Sequence, residues 1–358
     1  MLSRIGGLLG HQRHSSHDVH ENLGTLQTAD VPVTAAQCRG CGEPCEEGHE
    51  SYGTRFDVDM ASQMLGSMKG YRRQVCISTG KTDWEREVTD VTGSLAALLG
   101  HVHKSKSHST PIPTAVAMSA SDNPPAPSEV AGVYSSSSET KISPLNGSHR
   151  TISDDPDLQT VLVFPDYKIV ANVAETSEGA QQLWDEVLDP KHGIIGAMKP
   201  QSPLRTWPLP YSCVILLCSH KRRDNRCAVA AAKLEHEFMS NMGSKGWTVD
   251  LQLEHPHDDP IELVDAEKRE SHVLERLKEL PDEKSALIVH ISHIGGHKYA
   301  GNVIIYTPQG AGVWYGRVTT HEVDAIVEQT IVGGQILPSL LRGGVNISRP
   351  GCSSLNDW

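Results

Sequence analysis

The chain has 358 residues, with 32 Lys and Arg against 44 Asp and Glu, and a formal net charge of −12. So acidic a surface repels a phosphate backbone, which argues against a general nucleic-acid or membrane-surface binder, and no apolar run approaches the roughly 20 residues of a membrane span. Hydrophobic residues at 38% can build a core, but aromatics at 5%, with 21 Pro and 31 Gly, leave part of the chain unpacked. The length allows two domains.

The first 24 residues carry Arg4 and Arg13, no acid before Asp18, and a short amphipathic spacing of Leu2, Ile5, Leu8 and Leu9. A mitochondrial presequence shares this look, but the histidines and the acids after Asp18 dilute it. Residues 1–30 are therefore read as a disordered N-terminus. An α/β domain is expected over 31–209, with Arg73 to Ile77 and Thr160 to Phe164 as strands and an amphipathic helix near Glu178 to Leu188. A stretch at about 103–155, rich in Ser, Pro, Thr and Gly, interrupts it. With little periodic apolar content it cannot repay its ordering entropy, and it is read as a disordered insertion.

A second α/β unit is expected over 210–345, followed by a tail at 346–358. Val214 to Leu217 is a continuous apolar run, as in a strand covered on both faces. Arg226 to Met242 repeats apolar residues at helical spacing. Trp247 to Leu253 alternates like a strand, Ser271 to Leu280 is a helix stopped by Pro281, and Ala286 to Ile291 is a buried strand. Val303 to Tyr306 and Gly312 to Arg317 pair as a hairpin around Thr307-Pro308-Gln309-Gly310. His321 to Val332 closes the unit as a helix. This order fits a thioredoxin-like sheet with helices on both faces.

Eight cysteines stand at 38, 41, 45, 76, 213, 218, 227 and 352. Clustered cysteines in a long chain without a secretory signal point to metal or redox chemistry before a disulfide framework. Cys218 ends a buried strand and Cys227 falls in the first turn of the following helix, where the helix dipole and nearby arginines favour thiolates. The loop His293-Ile294-Gly295-Gly296-His297 follows another strand, and its glycines permit unusual backbone angles and close approach to a bulky group. Two imidazoles across Gly-Gly and two thiolates suit zinc as well as iron, so ligand counting leaves both open. His290, inside the strand, is expected to face solvent or the N-terminal domain.

These motifs, Cys218-Ser219-His220, Arg223-Asp224, Arg226-Cys227 and His293 through Val303, resemble the sucrase/ferredoxin-like family, and Trp314 through Thr319 and Trp358 fit the same pattern. The resemblance covers most of Pro210 to Trp358. It implies two thioredoxin-like domains, the C-terminal one a thioredoxin-like ferredoxin, whose [2Fe–2S] cluster is held by Cys218, Cys227, His293 and His297 in non-Rieske ligation. Neutral imidazoles in place of two thiolates raise the reduction potential, and a second ring nitrogen on each couples reduction to proton uptake, so the potential should fall as pH rises. Arg223 and Asp224 are candidates to steer the loop and tune its charge. The implied role is an electron carrier for an unidentified redox partner, with a link to oxidant tolerance or to actin patch distribution. A zinc-stabilised adaptor and a thiol oxidoreductase are the alternatives, the latter weakened by the lack of a Cys-x-x-Cys at the strand end.

Two weaker signals remain. Cys38-x2-Cys41-x3-Cys45 with His49 has the look of a zinc knuckle or a second redox site, in a Gly- and Glu-rich stretch where a structural or incidental role is favoured. Asp357-Trp358 resembles the C-terminal signal by which client proteins dock to the cytosolic iron–sulfur targeting complex. An aromatic anchor beside a carboxylate suits a basic, apolar pocket. That tail places the protein in the cytoplasm, with the mitochondrion as the alternative.

Overall fold

The computed structural model describes residues 16–42, 45–53, 56–107 and 130–358. Twelve strands form one mixed sheet: β1 (Arg73–Ser78), β2 (Val133–Tyr134), β3 (Ile142–Gly147), β4 (Leu158–Phe164), β5 (Lys168–Ala174), β6 (Arg205–Pro208), β7 (Cys213–Cys218), β8 (Thr248–Asp250), β9 (Ser285–Ile291), β10 (Val303–Tyr306), β11 (Gly312–Tyr315) and β12 (Leu341–Val345). Their order is β2-β12-β11-β10-β7-β9-β3-β1-β4-β5-β6, with β8 pairing on β9. The fold class is α/β, as expected.

The sheet has two halves that meet at a single residue pair, Gly147 with Ile291. β9 shares its outer edge: β8 pairs in parallel with its start, and β3 touches its end. Side-chain hydrogen bonds tie the seam further, with Ser148 Oγ accepting from the His290 N–H at 3.0 Å. Helices cover both faces: α1 (Ser16–Thr28), α2 (Leu95–Ser107), α3 (Ser177–Leu183), α4 (Asn225–Ser244), α5 (Arg269–Glu279) and α6 (Val323–Ala325). The last runs on through a wider-wound turn at Ile326–Val332. No helix among the described residues is long and apolar enough to cross a membrane.

Parts expected to be unpacked are built into this frame. Residues 1–15 lie outside the described residues, but α1 follows, and Leu26, fully buried, joins the core with Val31. Of the expected insertion, residues 108–129 lie outside the described residues; the remainder folds. Residues 103–107 complete α2, β2 adds an edge strand to β12, and β3 pairs with β1 in parallel through six consecutive residues. Nothing in Ile142-Ser143-Pro144-Leu145-Asn146-Gly147 reads as a strand. Its neighbours decide: β1 supplies the ladder, and Ile142 and Leu145 are each only 4% exposed. Tertiary pairing overrides weak local propensity there.

Candidate metal centre

β7 and β9 run parallel in full register, Cys218 opposite Ile291, so the end of one strand stands beside the loop that leaves the other. α4 begins at once after the β7 loop. Asp224 caps it, accepting from the Arg226 N–H at 2.9 Å, and the buried stripe Cys227, Ala230, Ala231, Leu234, Phe238 and Met242 fixes its face against the sheet. Cys227 therefore points inward from the first turn. Cys218 and Cys227 are 2% and 1% exposed.

The sulfurs of these two residues and a ring nitrogen of His293 all lie within 4.8 Å of one another. His293 Nδ1 is 3.9 Å from Cys218 Sγ. His297 is outside this trio; it is exposed, and its ring centroid is 5.5 Å from that of His293. The site thus has a buried sulfur side and an imidazole side that reaches solvent. A hydrogen bond from Cys227 holds the Cys218 thiol well below its usual pKa, against the effect of burial and with help from His293. The same bond, with burial, pushes Cys227 up. Of the two, Cys218 is the one favoured as a thiolate.

The Gly-Gly loop is shaped by residues far away in sequence. Gly295 and Gly296 both have left-handed backbone, φ 77° and 68°, which favours glycine. A Cβ at 296 would also run into the guanidinium of Arg342. That arginine, 1% exposed in β12, donates to Gly295 O at 3.2 Å and to Asn302 Oδ1 at 2.7 Å, and Asn302 in turn donates to Gly296 O at 3.3 Å. Its guanidinium carbon lies 5.8 Å from the Tyr299 ring centroid and 5.6 Å from that of Trp314. Burial lowers its pKa to about 10, still charged at neutral pH, and the Cys218 thiolate works in the opposite direction. A buried cation thus stands beside the thiol pair. An arginine inside the apolar run Leu340-Leu341-Arg342-Gly343-Gly344-Val345 was the available signal in the sequence.

His220, part of the first motif, is the other residue that sequence reading left without a role. Its Nε2 lies 2.9 Å from Trp84 O, which can only accept, so that nitrogen carries the proton. Nδ1 is then free to accept from the His293 N–H at 3.2 Å. His220, itself 1% exposed, pins the first imidazole to the first half of the sheet. The remaining candidates also have partners of their own. Arg223 pairs with Glu87, and Arg222 with Asp83 and Glu85, joining the loop to the same segment. Asp224 serves the α4 cap and Arg226, whose Nη2 is 2.7 Å away. His290 turns neither to solvent nor to the first half: its Nε2 lies 2.8 Å from Glu235 Oε2 of α4. Cys76 and Cys213 are buried core residues. In the tail, Asp357 accepts from the Ser353 and Ser354 N–H groups at 2.7 and 2.9 Å, bonds that hold its pKa low. Trp358 is 50% exposed, with the Lys278 ammonium 5.9 Å from its ring centroid.

Comparisons with known proteins place this geometry in a family. "Altered inheritance of mitochondria protein 32" of Debaryomyces hansenii is 31% identical over 134 residues, 37% of this chain and 36% of that protein. The protein of the same name from Clavispora lusitaniae is 33% identical over 130 residues, 36% and 34% of the two chains. "Actin patches distal protein 1" of Saccharomyces cerevisiae is 31% identical over 119 residues, 33% and 29%. The aligned region spans about a third of the length of each relative. No solved structure matches. The sucrase/ferredoxin-like family model matches residues 64–343, so the likeness takes in both halves of the sheet and Arg342, beyond the C-terminal stretch that carried it in the sequence. The chain belongs to the sucrase/ferredoxin-like family.

Proposed function

We propose that Cys218, Cys227, His293 and His297 hold a [2Fe–2S] cluster and that the protein carries single electrons. The observation that carries this reading is the shape of the quartet. A single tetrahedral zinc ion draws four donors together, with donor–donor edges of about 3.5–4 Å. Here His297 lies outside the trio that shares a 4.8 Å neighbourhood. Three donors cluster and the fourth stands apart, so the quartet does not close around one ion, and we read it as the donor set for two irons with two ligands each. When bound, such a cluster supplies a reversible one-electron centre.

The chain's own residues then have distinct tasks. The two buried cysteines keep water from the sulfur side, and the charged Arg342 beside them favours an added electron. His220, Asn302 and Arg342 fix the loop that presents the imidazoles. The exposed His297 gives a partner and a proton a short approach. Iron and acid-labile sulfide analysis, with an electron paramagnetic resonance spectrum after dithionite, tests the reading. Equal iron and sulfide, a reddish-brown colour that bleaches, and a spectrum altered by His293→Cys and His297→Cys are expected. A colourless, zinc-loaded site would overturn it and favour the adaptor alternative.

The proposal extends to how the cluster arrives. Trp358 is half exposed and free of the core, beside the carboxylate of Asp357, the chemistry expected to dock to the cytosolic iron–sulfur targeting complex, with the cytosol as the compartment. Deleting Trp358 should lower iron loading in cells while leaving reconstitution of the purified chain unchanged. Full loading in cells would reject this docking.

A further inference from the structure

We infer that Cys41, Cys45, His49 and His321 form a second, closed metal site that takes one zinc ion and fastens the 38–53 segment to the C-terminal half. This site shares no residue with the first and does not depend on the reading of that one. All four ligand atoms lie within 4.8 Å of one another. Cys41 Sγ is 3.3 Å from His321 Nδ1, and Cys45 Sγ is 3.3 Å from His49 Nδ1. A tetrahedral site with Zn–S of about 2.3 Å and Zn–N of about 2.0 Å has sulfur–nitrogen edges of about 3.5 Å. The donors therefore stand near the spacing one ion needs.

The surroundings prepare the donors. Both imidazoles present Nδ1 inward, and the other nitrogen of His49 lies 3.7 Å from Glu237 Oε1 of α4. A carboxylate behind a ligating histidine fixes its ring and strengthens it as a donor. His321 sits in a capping turn in which Thr319 and Glu322 bond reciprocally, and the same Glu322 pairs with Arg39. Thr320 Oγ1 donates to Glu50 O at 2.9 Å, and Tyr52 Oη donates to Val318 O at 2.8 Å. The described residues of this segment form no helix or strand and the stretch is rich in Gly and Glu, so apolar burial contributes little to its ordering. A four-donor cross-link supplies what burial does not.

The chemistry selects the ion. Two thiolates and two neutral imidazoles balance a divalent cation, and sulfur donors disfavour calcium and magnesium. Four protein donors leave no open position, which marks a structural site and not a catalytic one. Binding releases the two thiol protons. The sequence motif would have taken Cys38 as a ligand. Cys38 instead packs against the apolar core, and His321, 272 positions beyond His49, completes the set.

Metal analysis of the full chain expressed with added zinc tests this. Cys38→Ser should keep the zinc content of the wild type, and Cys45→Ser and His321→Asn should each lose one zinc per chain relative to it, with iron content unchanged in the last two. If those variants misfold, cobalt(II) added to the zinc-stripped wild-type chain gives the second reading: the visible absorption of a tetrahedral cobalt–thiolate site, retained in Cys218→Ser, supports the proposal. A zinc content undiminished in a folded Cys45→Ser, zinc lost with Cys38→Ser, or a zinc-free wild type carrying a Cys41–Cys45 disulfide would overturn it.

Discussion

The two halves of the sheet are built to one plan. In the first, the order β3-β1-β4-β5-β6 has β3 parallel to β1 and each later pair antiparallel; in the second, β9-β7-β10-β11-β12 repeats the same order and directions. The registers correspond as well. Ser78, opposite Gly147, stands where Cys218 stands opposite Ile291. Two residues beyond those partners come His149 in the first half and His293 in the second. The first half is thus the same frame without a thiol at the strand end. Ser78 Oγ there accepts from the Thr160 N–H at 2.9 Å and donates to Gln159 at 2.8 Å, and His149 is fully buried. A strand end beside the loop of its parallel neighbour is only a location. Sulfur at that location, and an imidazole side that reaches water, make it a candidate metal centre.

The largest effect should come from making the second half resemble the first. Cys218→Ser places the residue of position 78 at the β7 end, so the fold should survive while visible absorption and iron content fall to background. Loss of helical circular dichroism along with the colour would show that the thiol is needed for the frame itself.

His149 gives a pH-dependent difference between the halves. Burial lowers its pKa to about 4, whereas an unfolded histidine titrates near 6.5. Above about pH 6.5 both states are neutral there and the residue contributes no pH dependence. Below it the unfolded chain takes a proton that the folded chain refuses, so stability falls by about 1.4 kcal/mol per pH unit, about 3 kcal/mol in all by pH 4. Denaturant titrations at pH 7 and pH 5 should show His149→Phe losing less stability on acidification than wild type. Equal losses would mean that this imidazole is solvated.

The smallest effect concerns the buried cation that only the second half places beside its thiols. Arg342→Gln removes that charge and should lower the midpoint potential by about 1–2 kcal/mol of electrostatic energy, on the order of 60 mV for one electron. Arg342→Lys should recover part of the shift. A potential unmoved in both variants would reduce Arg342 to a loop support.

Much of the frame was legible because local sequence and tertiary role agree. The apolar run of β7, the helical spacing of α4 and the strand before His293 each bury the residues that their periodicity selects. The reading failed where an element owes its shape to neighbours: β3 with its proline, β2 as an isolated edge, and β12 with a buried arginine. A buried Arg342 is intelligible only once Asn302, Tyr299 and Trp314 surround it.

Residue chemistry and spacing by themselves determined which side chains can bind metal and which loops carry them, because donor type and backbone freedom are properties of the local chain. Which donors meet was decided only in the folded protein. Cys38 lies among near neighbours in sequence yet turns to the core, while His321 arrives from the far end of the chain. Convergence depends on where packed elements leave their ends, and that position is set by the whole sheet.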